Sequence, residues 1–349
     1  MGKKGKQTHI LIIRLSAMGD VAMTVPVLSA LLNQYPQIEV TVLTKKLFLP
    51  IFSGLENVNV FEADVKKRHK GLVGLWRLYQ ELKSLQIDAV ADLHNVLRSR
   101  ILQKYFGLGK TPFIQVDKGR AEKKALTRNK NKIFKQLKST HHRYADVFTE
   151  LGFPVDLKKT KLLERIQLSE NVLELVRQDA NKWVGIAPFA AHEGKMYPLY
   201  LMKEVIQKLN NTNKYKILLF GGGAHEVKQL EAIAKEGEHV LNMAGRLNLK
   251  EELSLISNLD VMLSMDSGNS HLAANYGIPV ITIWGVTHPF AGFYPFGQSK
   301  EHALLANRER YPLIPTSVYG NKLPAGYETA METITPQQVI DKIITLLEG

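Results

Sequence analysis

The sequence has no cysteine among its 349 residues. Disulfides, thiolate metal sites and cysteine nucleophiles are therefore excluded, and the chain is compatible with a reducing compartment. No apolar run approaches the ~20 residues that a membrane-spanning helix needs. The basic stretch from Met1 to Gln7 leads into a short strand rather than a signal-peptide core. Lys6 stands where a myristoylation signal on Gly2 would need Ser or Thr. Acidic residues are scarce in one region: between Arg98 and Arg143, fourteen Lys or Arg face only Asp117 and Glu122.

The length suggests two domains, and 45% hydrophobic residues supply two cores. A net charge of +13 points to anionic partners: nucleic acid, a phosphorylated substrate or an acidic membrane face.

Short apolar runs alternate with helically spaced ones. His9–Arg14, Glu39–Thr44, Val58–Phe61 and Ile87–Asp92 read as strands, with helices over Val21–Leu32 and Leu72–Leu85. A second series starts at Trp183–Ala187, after a helix over Leu168–Asn181, and continues through Tyr215–Phe220. This alternation indicates doubly wound parallel sheets. Domains are expected at 1–155 and 156–334, joined by a charged connection over Val155–Lys161. A C-terminal helix, 335–349, is expected to pack back on the first domain. The basic region 110–138 reads as a loop through Gly119–Asn131 and then one helix, with Phe134 and Leu137 giving it a weak amphipathic surface.

The most informative stretch is Asp260–Trp284, which reads as strand, tight loop, short helix, strand. Ser267, Gly268 and Asn269 leave backbone N–H groups uncovered where the helix dipole is positive, which suits a phosphate or a simple cap. Asp20 ends a turn after the first strand, at the edge where open α/β sheets place ligands. It reads either as the N-cap of the following helix or as a general base toward a hydroxyl. Arg98 and Arg100 suit carboxylate or phosphate recognition, or a solvated helix face. Lys195 follows a strand end, where it meets a diphosphate or only solvent.

Three patterns mislead. Gly107–Thr111 echoes a phosphate-binding loop, but Lys104 replaces its first glycine. Gly221-Gly-Gly-Ala-His-Glu226 lacks the third glycine of a dinucleotide fingerprint; Glu226 there fits a ribose diol or a cap. His141-His142 has no helix-spaced ligand partner, so no metal site is expected, and His142 reads as solvated or as touching an acceptor.

Taken together, Arg14-Leu-Ser-Ala-Met-Gly-Asp20, Gly194-Lys195-Met-Tyr-Pro198 and Asp266-Ser-Gly-Asn-Ser-His271-Leu-Ala-Ala, with Gly285-x-Thr287-x-Pro289 downstream, resemble glycosyltransferase family 9, the ADP-heptose:lipopolysaccharide heptosyltransferases. The resemblance implies a GT-B fold, two Rossmann-like domains facing a cleft. It also implies inverting sugar transfer without a metal or other cofactor, and no D-x-D pair occurs among the aspartates. By position, Asp20 would be the general base and Lys195 would hold the donor diphosphate. Met18, Gly19, Asp266, Ser267, Gly268, Asn269 and His271 would attend the nucleotide sugar, with Glu226 at the ribose and Arg246 and Leu247 beside the base. Ala190 and Ala191 stand where relatives often offer hydroxyls. Arg98, Arg100 and His142 would meet an anionic glycolipid acceptor of the lipid A–Kdo type, at the cytoplasmic face of the membrane. Two rivals stay open at this point: a basic nucleic-acid-binding protein and a nucleotide-sugar epimerase.

Overall fold

The computed structural model describes residues 8–177 and 181–348; the basic stretch 1–7, Gly2 included, lies outside them. The chain divides into two compact units, Met1–Lys118 with Thr140–Leu163, and Gly119–Ser139 with Glu164–Gly349. The earlier elements are β1 (Thr8–Ile13), α1 (Met18–Ala22), α2 (Thr24–Gln34), β2 (Ile38–Thr44), β3 (Val58–Glu62), α3 (Gly71–Lys83), β4 (Ala89–Asp92), α4 (Leu97–Leu108), β5 (Phe113–Gln115), α5 (Arg120–Thr127) and α6 (Thr140–Glu150). There follow α7 (Glu170–Val176), β6 (Lys182–Ala187), α8 (Leu199–Asn210), β7 (Tyr215–Leu219), α9 (Ala224–Ala234), β8 (Val240–Asn242), α10 (Leu249–Ile256), β9 (Val261–Met265), α11 (Gly268–Asn275), β10 (Val280–Trp284), β11 (Ala303–Leu305) and α12 (Pro336–Glu348).

The first unit's sheet runs in the order β3-β2-β1-β4-β5 with every pairing parallel. Ile10–Ile13 of β1 are fully buried, because helices cover both faces and leave no polar side for the strand to show. One face packs Leu11, Ile13, Leu43 and Val90 under Leu75, Leu78 and Leu82 of α3 and Leu102 and Phe106 of α4. The second unit's sheet runs β11-β10-β9-β6-β7-β8, also parallel throughout. Each sheet reverses its strand order once, at β1/β4 and at β6/β9. Open α/β sheets bind ligands outside the carboxyl ends of the strands at such a reversal.

Several expectations need correction. The helix expected over Val21–Leu32 is two helices that meet at Met23, with Pro26 in the first turn of α2, where a missing N–H costs nothing. The helix expected over Leu168–Asn181 is confined, within the described residues, to Glu170–Val176. The charged connection Val155–Lys161 belongs to the first unit. Ser29 Oγ donates to the Lys161 carbonyl at 2.6 Å, Thr160 Oγ1 to that of Pro26 at 3.0 Å, and Asn33 Nδ2 to that of Lys159 at 3.1 Å. The C-terminal helix α12 belongs to the second unit. Its Val339, Ile340, Ile343 and Leu347 enter the second unit's core, and Tyr197 Oη donates to the Ile334 carbonyl at 2.7 Å where the chain approaches it.

The largest departure is the basic segment Gly119–Ser139, which joins the second unit. Its helix, α5, precedes the apolar pair instead of containing it, and 128–139 is non-helical. Leu126 and Leu137 bury against Ala291, with Phe134, Phe290 and Phe293 around them. The Arg308 guanidinium lies 3.3 Å over the Phe134 ring. Lys132 Nζ donates to the carbonyls of Leu313 and Pro315 at 2.6 and 2.7 Å. Burial and the Arg308 charge lower the Lys132 pKa to about 8. Truncating the buried Leu137 to Ala should destabilise the second unit by about 2–4 kcal/mol in denaturant unfolding and expose 128–138 to trypsin. Unchanged trypsin resistance would show that this cluster does not hold the segment.

Candidate active site

In the first unit, the turn that leaves β1 carries Arg14 into the interior and brings Asp20 onto the first helical turn of α1. Arg14 Nη2 meets Asp20 Oδ2 at 2.6 Å, with side-chain exposures of 7% and 27%. Arg14 Nη1 donates to the Leu93 carbonyl, just past the end of β4, at 2.6 Å. The guanidinium thus spans the two strands at which the sheet reverses. Burial alone would lower its pKa, but Tyr144, Asp20 and Asp92 outweigh that and raise it. Asp20 Oδ2 also accepts the Ala17 N–H at 3.2 Å, so the carboxylate caps the helix from its third position rather than as the N-cap. Among the described residues Asp20 Oδ1 has no hydrogen-bond partner. Met18 and Gly19 share the same partly exposed turn.

His94, not anticipated from the sequence, belongs to this edge. Its main-chain N–H donates to Asp92 Oδ1 at 2.9 Å, and its imidazole is buried with Nδ1 unpartnered among the described residues. Burial, then the Arg14 and Lys118 charges, lower its pKa to about 3, with Asp20 opposing them. The ring is therefore neutral and can exchange a hydrogen bond with a hydroxyl. Arg98 and Arg100 lie exposed on the first turn of α4, at the same sheet edge, and Arg100 Nε donates to Asn95 Oδ1 at 3.2 Å. His142 is exposed on α6, whereas its neighbour His141 is buried.

In the second unit, the chain leaving β6 makes a short turn over Glu193–Lys195. Lys195 Nζ meets Asp266 Oδ2, at the end of β9, at 2.8 Å, with exposures of 15% and 7%. Thr287 Oγ1 donates to the same oxygen at 3.0 Å. Ser267 does not cap α11 with its side chain; its hydroxyl lies 3.1 Å from Ser264 Oγ, so the first-turn amides of α11 keep no side-chain cap. On that turn Gly268 and Asn269 are partly exposed and His271 is buried. Asn269 Oδ1 is buried without a partner among the described residues, a polar group suited to a ligand. Glu226 lies on the first turn of α9, after β7, where Oε2 accepts the Gly222 N–H at 2.7 Å. Arg246 and Leu247 follow β8; Arg246 is exposed and bridges to Glu231 at 3.3 Å.

The 297–332 region supplies a feature that the motifs do not show. Gly320 has φ +77, and a Cβ there would collide with the Lys195 stem. Gly194 is held likewise: its carbonyl accepts the Val286 N–H at 2.9 Å, and a Cβ would meet Val286 and the Gly320 carbonyl. Glycines on both sides thus let three backbone segments close around one lysine.

Over residues 75–317 the chain matches the family model of glycosyltransferase family 9 (heptosyltransferase). The chain belongs to that family. It is 28% identical to lipooligosaccharide heptosyltransferase 2 of Haemophilus influenzae, over 97% of this chain and 99% of that one. It is 26% identical to the lipopolysaccharide core heptosyltransferase OpsX of the same organism, over 80% of each. Among solved structures, the family 9 glycosyltransferase of Veillonella parvula has TM-score 0.75 at 19% identity, covering 98% of both chains. Escherichia coli heptosyltransferase WaaC with ADP has TM-score 0.69 at 20% identity, covering 97% of this chain and all of that one. The fold is GT-B and the protein is a glycosyltransferase. Neither the nucleic-acid nor the epimerase reading is favoured.

A pH dependence of stability follows from His94. Its folded pKa lies below the unfolded value near 6.5. As pH falls, the unfolded chain therefore takes up a proton that the folded chain refuses, and stability is lost from about pH 6.5 down to about 3. The slope for one such proton is at most about 1.4 kcal/mol per pH unit. His94→Gln should flatten the fall of melting temperature between pH 6.5 and 4; an unchanged slope would mean that His94 is protonated in the folded protein.

Proposed function

We propose that this enzyme transfers a heptose from an ADP-activated donor, with inversion, to a hydroxyl of the lipopolysaccharide inner core, working at the cytoplasmic face of the membrane. The relatives are named for lipopolysaccharide or lipooligosaccharide heptosyl transfer, and one solved family structure carries an ADP-2-deoxy-2-fluoro heptose. The observation that carries the reading is a pair of opposed polarities. At the first reversal the cation is the buried partner and the Asp20 carboxylate is the open one. At the second the carboxylate is buried and the Lys195 ammonium is the more open. One edge thus offers a base and the other an electrophile.

We assign the chemistry to these groups. Asp20 Oδ1 accepts the proton of the acceptor hydroxyl as its oxygen bonds to the anomeric carbon, while Arg14 fixes the carboxylate through Oδ2. The bond from that carbon to the diphosphate breaks on the opposite side, and ADP leaves with the electron pair. Lys195, with one of its three protons on Asp266, turns the others to the diphosphate beside the first-turn amides of α11. Sheet order supports the rest: β7 and β8 lie one and two strands beyond β6, about 5 and 10 Å away. That progression suits a ribose at Glu226 and a base at Arg246 and Leu247. His94, Arg98 and Arg100 are assigned to the acceptor edge.

We assign the leaving-group charge to Lys195 and these amides, so transfer should need no divalent metal. Among the described residues no three His, Asp or Glu side chains converge as a metal site. One relative in fold, E. coli TibC, is described as iron-containing, so the point requires a direct test. Activity of the purified enzyme should persist in excess chelator; loss that Mg²⁺ or Fe²⁺ restores would contradict the assignment.

Asp20→Asn should lower turnover roughly 10²–10⁴-fold with ADP affinity little changed. Full turnover would leave Asp20 as a cap and a partner for Arg14. Lys195→Ala should weaken ADP binding about tenfold or more in calorimetry as well as slow transfer; unaltered affinity would remove it from the donor site.

A further inference from the structure

The first unit carries an apolar helix end that its own fold leaves uncovered. α3 turns Leu75, Leu78, Tyr79 and Leu82 into the core, yet Leu72, Val73 and Trp76 stand 64%, 77% and 41% exposed. At helical spacing these three share a sector of roughly 100° that flanks the core-facing side chains. Farther along, the same face turns polar with Arg77, Gln80 and Lys83, so the apolar character is confined to the first two turns. Trp76 is held edge-on against Tyr105, with ring centroids 5.1 Å apart, and is not a loose side chain.

Lys66, Lys67, Arg68 and Lys70, all exposed, lead directly into this end. Arg68 is bridged to Glu81 at 3.1 Å, but Lys66, Lys67 and Lys70 make no salt bridge among the described residues. α3 has no acid in its first turn. Arg68 is held by Glu81, and the Asp64 carboxylate takes the Lys67 and Arg68 N–H groups, but cations gathered at a helix N-terminus oppose the dipole, an arrangement that an anionic surface would offset. Aliphatic side chains with a tryptophan beside them, preceded by a run of exposed lysines, match the boundary between lipid headgroups and acyl chains. A nucleic acid would reward stacked aromatics rather than Leu72 and Val73.

We propose that the N-terminal end of α3, with the basic run before it, docks on an anionic lipid bilayer. The inference rests on the peripheral membrane reading above and gives it a surface. Phe134 and Leu137, which the sequence offered for that role, are spent on the second unit's interior. The docking end follows β3 at the carboxyl edge of the sheet that carries Asp20, two strands from β1. Glycolipid headgroups on a docked bilayer therefore lie toward the edge where the acceptor is needed.

Trp76 reports on this surface specifically, because Trp183 and Trp284 are buried. Full-length protein is mixed with phosphatidylglycerol–phosphatidylethanolamine vesicles, or with phosphatidylcholine vesicles as control, and followed by co-sedimentation and tryptophan emission. The expected result is binding to the anionic vesicles, with a blue shift of Trp76 and quenching by brominated acyl chains. Lys66→Gln, Lys67→Gln and Lys70→Gln together should weaken partitioning on the order of 10²-fold, from about fivefold per lysine near the surface. Leu72→Ser with Val73→Ser should abolish the blue shift while transfer to a lipid-free acceptor fragment is kept. The inference is overturned if the wild type ignores anionic vesicles, if both variants bind as it does, or if transfer to the lipid-free fragment falls in step with vesicle binding. Failure of the wild type to use any saccharide acceptor would instead strike the transferase reading and leave the docking result standing.

Discussion

The contact between Lys195 and Asp266 is the one around which the second unit's strand-order reversal is packed, and the proposed chemistry rests on it. An ammonium with 15% exposure is costly to desolvate, and the carboxylate beneath it, itself nearly buried, compensates that cost. The surroundings are arranged to keep the pair in register. Thr287 shares the carboxylate oxygen, Gly194 lets the β10 exit come close, and Gly320 lets a distant segment cross the lysine stem. A buried pair contributes little net stability, so its retention at a strand-order reversal is better explained by what the exposed end of the lysine can reach. The first unit repeats the device with the charges exchanged, and on our proposal the exchange separates proton acceptance from charge stabilisation.

Much of this was legible in the sequence, because periodicity and turn chemistry are local. The apolar run of β1, the β9–α11 loop and the Lys195 turn follow from neighbours within a few residues, and the family resemblance rests on those stretches. What escaped is non-local. Nothing around Leu93 says that its carbonyl will receive Arg14, and nothing around Gly320 says that it will lie on Lys195. His94 stands beside a strand end with no pattern of its own; burial, with the Arg14 and Lys118 charges, makes it a neutral ring. α4 and α6 hid behind charged residues read as motifs, and β5, three residues long, is too short to show a period.

The division of the chain was misread for the same reason. Charge and poor periodicity marked 119–131 as a loop, but an Arg over a phenylalanine ring and a lysine shared by two carbonyls are tertiary contacts that composition does not encode. The connection at 155–161 looked like a tether, yet its carbonyls are taken by Ser29 and Asn33 of α2. In both places the residues read as loop or linker are held by hydrogen bonds from side chains to main-chain carbonyls. The basic segment thereby contributes Leu126 and Leu137 to the interior of the second unit, whereas Lys66, Lys67 and Lys70 before α3 stand exposed.

A crystal structure of the enzyme with ADP is the most direct test of the central claim, that the second reversal receives the leaving diphosphate. The account predicts diphosphate oxygens within ~3 Å of Lys195 Nζ and of the Gly268 amide, with the ribose beside Glu226. A diphosphate bound away from Lys195, or seated at the Asp20 edge of the first unit, would contradict it.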